Sequence, residues 1–131
     1  MKRDCAEFLK TLATPKLRHL TLIDFDFDDE SAAALATSPT FANLTRLKID
    51  KGFGATSLLT PKAAEKLFRS SNLRNLVEVY FDRFALGNLL EVLADESIMP
   101  KLRRGTFWGT KAPRETIEHF KTKRPVISVS S

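Results

Sequence analysis

The stretch Leu44-Thr45-Arg46-Leu47-Lys48-Ile49 decides the fold, because its pattern recurs three more times along the chain. The other copies start at Leu17, Leu76 and Leu102, so successive starts lie 27, 32 and 26 residues apart. Apolar residues occupy the first, fourth and sixth positions of every copy except the last, where Gly105 takes the fourth. This alternation is typical of a strand with one buried face, and the chain therefore predicts four similar strands.

Helices are predicted between these strands, because the apolar spacing changes there from two residues to about 3.6. Thr60 and Pro61 provide a suitable N-cap and first residue for one of these helices. The predicted helical segments are residues 4–13, 31–36, 61–68, 86–93 and 113–123. Residues 126–129 predict a short closing strand. The first helix has no strand before it, which indicates either a missing preceding segment or an end that meets a partner.

The connections from helix to strand carry a second recurring pattern. Residues 34–47 read Ala-Leu-Ala-Thr-Ser-Pro-Thr-Phe-Ala-Asn-Leu-Thr-Arg-Leu, and residues 70–76 read Ser-Ser-Asn-Leu-Arg-Asn-Leu. Here the chain resembles bacterial leucine-rich repeats of the ribonuclease-inhibitor-like type. In those repeats an Ala-Leu-Ala helix end leads through Ser-Pro and Asn-Leu into the next strand. The resemblance extends over nearly the whole chain.

This resemblance implies an α/β fold, a short curved leucine-rich repeat solenoid with a parallel strand on the concave face and a helix on the convex face of each repeat. It implies one domain over residues 1–131, with about four repeats, a half-repeat at 4–13 and a C-terminal cap at 113–131. We expect this domain to be part of a longer protein. The repeats are degenerate, because the Asn or Cys that usually follows the strand is replaced by Phe25, Gly52, Phe84 and Thr110. Phenylalanine packing under the turns is expected to take its place.

Side chains that carry chemistry are few and scattered. The acidic run over residues 24–30 lacks the glycine and the final glutamate of a calcium-binding loop. We expect its two phenylalanines in the core and its last three acidic residues at the start of a helix. His19 and His119 belong to no metal-binding pair. The sequence therefore predicts a protein that is not an enzyme and has no cofactor and no metal site.

Outward-facing strand residues form the predicted binding surface. Side chains alternate along a strand, so the residues between the core positions face outward on the concave side. We predict partner binding by Arg46, Lys48, Glu78, Tyr80, Arg104 and Trp108. Tyr80 and Trp108 fall on adjacent strands with an arginine on either side, and these residue types often dominate binding energy. The predicted function is protein binding or scaffolding; in the alternative interpretation the aromatic rings only cover a small sheet and the repeats are a structural spacer.

The net charge of +5 gives a further alternative, because eight basic residues and only two acidic ones fall between residues 101 and 125. This basic quarter predicts binding of nucleic acid or of an acidic partner, or else is a solvated face of an end cap. The single cysteine and the lack of a secretory signal favour a cytoplasmic protein. No apolar run has the length of a transmembrane helix, so no membrane association is expected.

Overall fold

The structure is a computed structural model that describes residues 5–14, 16–23, 25–50, 59–82, 89–108 and 113–130. Its helices are α1 (Cys5–Thr11), α2 (Asp29–Thr37), α3 (Pro61–Arg69), α4 (Leu89–Leu93) and α5 (Arg114–Lys123). Its strands are β1 (His19–Ile23), β2 (Arg46–Asp50), β3 (Glu78–Asp82), β4 (Arg104–Trp108) and β5 (Ser128–Ser130). Short 3-10 helices at Pro39–Phe41 and Ser71–Leu73 precede β2 and β3. The predicted alternation of helices and strands is confirmed.

The five strands form one parallel sheet in the order of the sequence. The register places equivalent positions of the four sequence copies side by side, so Leu47 pairs with Leu20 and Val79, and Val79 pairs with Gly105. The short strand β5 adds to the edge of the sheet beside β4. The predicted strands are therefore confirmed, although β5 begins two residues after Val126.

Helices cover one face of this sheet. Buried strand residues such as Leu22, Ile49 and Phe81 share one hydrophobic cluster with buried helix residues such as Leu35 and Leu67. Each helix packs against the next, α1 on α2, α2 on α3, α3 on α4 and α4 on α5. The α/β class is therefore confirmed, with a parallel sheet and a helical layer.

Hydrogen bonds at the strand starts repeat from one unit to the next. The carbonyl of Arg18 accepts from the amides of Thr45 and Arg46 at 2.8 and 3.1 Å. The carbonyl of Thr45 accepts at the same two distances from the amides of Val77 and Glu78. The carbonyl of Val77 accepts at these distances from the amides of Arg103 and Arg104. Equivalent residues are therefore held in equivalent positions at three successive steps.

The start of α2 explains the acidic run. Asp28 is the N-cap, and its Oδ1 accepts from the amide of Ser31 at 2.8 Å. Phe27 is fully buried, whereas Phe25 is half-buried and its ring centroid lies 5.2 Å from that of Phe8. The expected helix-start role of these carboxylates is confirmed for the described residues. Asp24 and the turn positions Gly52, Phe84 and Thr110 lie outside the described residues.

Gly105 occupies a leucine position for a steric reason. A Cβ atom on Gly105 would lie 2.6 Å from Cε2 and 3.0 Å from Cζ of Phe107. The ring of Phe107 is fully buried and lies 6.4 Å from the ring of Phe81, nearly parallel to it. The phenylalanine therefore fills the space that a leucine would take at residue 105.

Polar side chains connect the turn after α2 to the turn after α3. The Nδ2 of Asn72 donates to the carbonyls of Leu35 and Ser38 at 3.0 and 2.8 Å. The Oγ of Ser70 donates to the carbonyl of Ala36 at 2.6 Å. Carbonyl groups at a helix C-terminus have no partner within the helix, so these donors satisfy groups that would otherwise need water.

The turn after α4 receives its donors from a distant arginine. The guanidinium of Arg124, just after α5, donates to the carbonyls of Leu93 at 3.0 Å, Ile98 at 2.7 Å and Met99 at 2.8 Å. Arg124 is only 6% exposed, and burial lowers the pKa of its guanidinium. In the same turn, hydrogen bonds from the side chain and the backbone of Ser97 lower the pKa of Asp95.

Within the described ranges, no helix is long and apolar enough to cross a membrane.

Candidate partner-binding face

The outer face of the sheet consists of the strand residues that alternate with the buried ones. Because the strands are in register, these residues form three rows across β1 to β4. The first row is His19, Arg46, Glu78 and Arg104. The second row is Thr21, Lys48, Tyr80 and Thr106, and the third is Ile23, Asp50, Asp82 and Trp108.

Glu78 lies between two arginines in the first row. Its Oε2 is 2.7 Å from Nε of Arg46, and its Oε1 is 3.8 Å from a terminal guanidinium nitrogen of Arg104. The side chains of Arg46 and Arg104 remain 55% and 72% exposed. The carboxylate of Glu78 therefore lies between two largely exposed guanidinium groups, close to that of Arg46 and farther from that of Arg104.

A cation–π contact marks the second row. The Nζ of Lys48 lies 4.8 Å from the ring centroid of Tyr80, within the range of an attractive contact. Both side chains are half-buried. Together with Arg46 and Glu78 they line a surface depression above the strands. Four of the six predicted binding residues therefore meet at one place.

The third row agrees with the outward prediction at Ile23 but not at Asp82. Asp82 is only 8% exposed although it falls at an outward position, and Ile23 at the edge of the sheet is 47% exposed. The backbone of Trp108 pairs with that of Asp82 at the end of β4. The side chain of Trp108 lies outside the described part of the chain.

The register confirms that the strands of Tyr80 and Trp108 are adjacent and adds the spacing of these residues. Tyr80 and Trp108 are on adjacent strands, but Tyr80 pairs with Thr106, so the two aromatic residues are offset by two positions. Arg46 and Arg104 flank Glu78 in the first row and not the aromatic pair. Aligning the sequence copies position by position predicts both facts, because Glu78 holds the same position in its copy as the two arginines do in theirs.

The basic quarter is divided among different surroundings. Arg124 is buried, which corrects its inclusion in a solvated basic surface. Lys101 donates to Oδ1 of Asn75 at 2.8 Å, and Arg114 pairs with Glu118 at 3.1 Å. Lys111 lies outside the described residues. With Arg104, which lies 3.8 Å from Glu78, four of the basic residues in the described part of this quarter therefore have structural contacts of their own.

In the described part of the chain, no group of three or more His, Cys, Asp or Glu residues is placed to hold a metal ion. The sequence matches no protein-family model and no curated protein.

Proposed function

We propose that the chain is a short leucine-rich repeat solenoid and that its outer face is the concave surface that binds a protein partner. In this proposal the chain is a scaffolding or recognition module without catalytic chemistry. One observation carries it: helices cover one face of the sheet, while the other presents in-register rows of charged and aromatic side chains. The repeated hydrogen bonds at the strand starts support the repeat assignment.

The depression around Tyr80 is the centre of the proposed interface. Arginine and tyrosine are enriched among residues that dominate binding energy. In the free protein Lys48 contacts the ring of Tyr80, and Glu78 forms an ion pair with Arg46. These side chains are therefore partly ordered before a partner binds. Ordering side chains on binding costs about 0.5–1.5 kcal/mol each, and prior order reduces this cost.

The test is capture of partners by the immobilised full chain from a nuclease-treated lysate, at low and at high salt. The face variant is Lys48→Ala/Tyr80→Ala, and the matched control is Lys62→Ala/Lys66→Ala on α3, whose two lysines are exposed on the helical layer. Circular dichroism checks that each variant is folded. We expect proteins that the wild type and the control retain at both salt concentrations and that the face variant loses.

Two outcomes contradict the proposal. If the face variant retains the same proteins as the control, the outer face is not the binding site. If proteins are captured only when the nuclease treatment is omitted, and their retention falls steeply with salt, the basic quarter takes precedence as a nucleic-acid surface.

A further inference from the structure

Arginines are concentrated at one end of the outer face. Arg46 and Arg104 belong to the first row, and the exposed residues Arg18 and Arg103 directly precede β1 and β4. We call these four residues the arginine row. In the first row and at the residues directly before it, the only carboxylate is that of Glu78.

Glu78 can accept from only a few of the N–H donors that these arginines carry. A guanidinium group carries five N–H donors in a planar fork that matches a carboxylate. Glu78 has one carboxylate, which is 2.7 Å from Arg46 but 3.8 Å from Arg104. The donors of Arg104 are therefore mostly directed to solvent, at a side-chain exposure of 72%.

We propose that the arginine row binds an acidic peptide segment of the partner, lying across the strands with its carboxylates on Arg46 and Arg104. This inference rests on the proposed function of the outer face. These two arginines are separated by two strand spacings, about 9.6 Å, which a peptide in the polyproline II conformation covers in about one turn of three residues, with both side chains on the same side. Two acidic residues three positions apart therefore fit the pair.

Carboxylates on the same face favour a peptide over a nucleic acid. Asp50 occupies the third row, and Glu78 interrupts the first. A nucleic-acid backbone carries a charge at every nucleotide and extends over a wide surface. It would place phosphates against these carboxylates, whereas a peptide can place its acidic residues only where the arginines are.

The test measures binding of a fluorescein-labelled serine-rich peptide with two glutamates three positions apart, by fluorescence polarisation at about 0.05 M salt, where charge screening is weak. The comparison peptide has glutamine at both positions, and a short oligothymidylate is the nucleic-acid probe. The row variant is Arg46→Glu/Arg104→Glu in the full chain. The matched control is Arg69→Glu/Arg114→Glu, which changes the net charge equally at two arginines that each pair with one glutamate on a helix.

We expect the glutamate peptide to bind the wild type, the glutamine peptide not to bind, and the row variant to bind about tenfold more weakly than the control. Equal weakening in both variants would show that net charge alone is responsible and would overturn the proposal. Absence of glutamate-peptide binding, or tighter arginine-dependent binding of the oligothymidylate, would also overturn it. The two proposals can fail separately. If one of these outcomes occurs but the Lys48→Ala/Tyr80→Ala variant still loses lysate proteins, the outer face remains the protein-binding site and only the acidic-peptide inference is wrong.

Discussion

The turns after α2 and α4 both contain helix C-terminal carbonyl groups that need hydrogen-bond donors, and different side chains supply these donors. Leu35 and Leu93 are equivalent, since each lies nine residues before the first leucine of the following strand pattern. The carbonyl of Leu35 accepts from Asn72, a side chain of the next turn in the series. The carbonyl of Leu93 accepts from Arg124, after the last helix. Both carbonyls lie 3.0 Å from their donors.

The difference shows that equivalent turns are held by donors of different kinds and reach. Within the stack, a short amide side chain reaches the preceding turn because neighbouring units lie in contact. The turn after α4 likewise receives its donors from the segment that follows it in the series, but there the donor is Arg124, after α5, instead of an amide. A long side chain with five donors then satisfies three carbonyls at once, and the buried charge of Arg124 is compensated by these hydrogen bonds.

The largest effect is expected for Arg124→Met, which keeps most of the buried volume but removes every donor. Three carbonyls lose their partner, so we expect the free energy of unfolding to fall by about 3 kcal/mol, measured by urea denaturation. Arg114→Met is the control, because Arg114 is exposed and its helical ion pair contributes about 0.3–0.5 kcal/mol. Equal stability of the two variants would show that the arginine is not what holds this turn.

The same region is tested by Gly105→Leu, which restores the repeat pattern in β4. We expect a loss of about 2 kcal/mol instead of a gain, because the new side chain overlaps the buried ring of Phe107. Thermal and urea unfolding measure it. The double variant Gly105→Leu/Phe107→Leu removes the overlap and should be more stable than Gly105→Leu alone; a less stable double variant contradicts the steric explanation.

A smaller effect is expected for Asn72→Ala in the turn after α3. Two carbonyls lose a donor, but the site is only half-buried and water replaces part of the loss, so we expect about 1.5 kcal/mol. The neighbouring exposed Arg74→Ala serves as control in the same denaturation experiment. The comparison of the two turns fails if Asn72→Ala costs more than Arg124→Met.

The smallest effect is expected for Lys101→Ala. Its ammonium donates to Asn75 at an exposed position, so the loss should be about 0.5 kcal/mol or less. Asn75→Ala should cost more, because Nδ2 of Asn75 also donates to the carbonyl of Ala42. Urea denaturation of both variants decides whether the bond to the backbone matters more than the bond to the lysine.

Much of the outer face was predictable from the sequence. Once the copies are aligned, their register places Arg46, Glu78 and Arg104 in one row, and the structure confirms this. The burial of Asp82 was not predictable in this way, because strand alternation gives the side to which a residue points but not what surrounds it there. The binding roles of the six chosen residues stay predictions.

The sequence by itself determined the strands, their order of appearance, the N-cap of α3 at Thr60 and the acidic start of α2, because these depend on periodicity and on contacts within about four residues. Only the tertiary structure decided the role of Arg124, whose acceptors lie 25 to 31 residues away in the chain. In the sequence this arginine belongs to a basic quarter, and in the fold it is a buried donor. The reason for Gly105 is likewise tertiary, because the ring of Phe107 is held over it by the packed core and by Phe81. Local patterns fix which elements form, whereas contacts between distant residues decide how the turns are held and which side chains the core accepts.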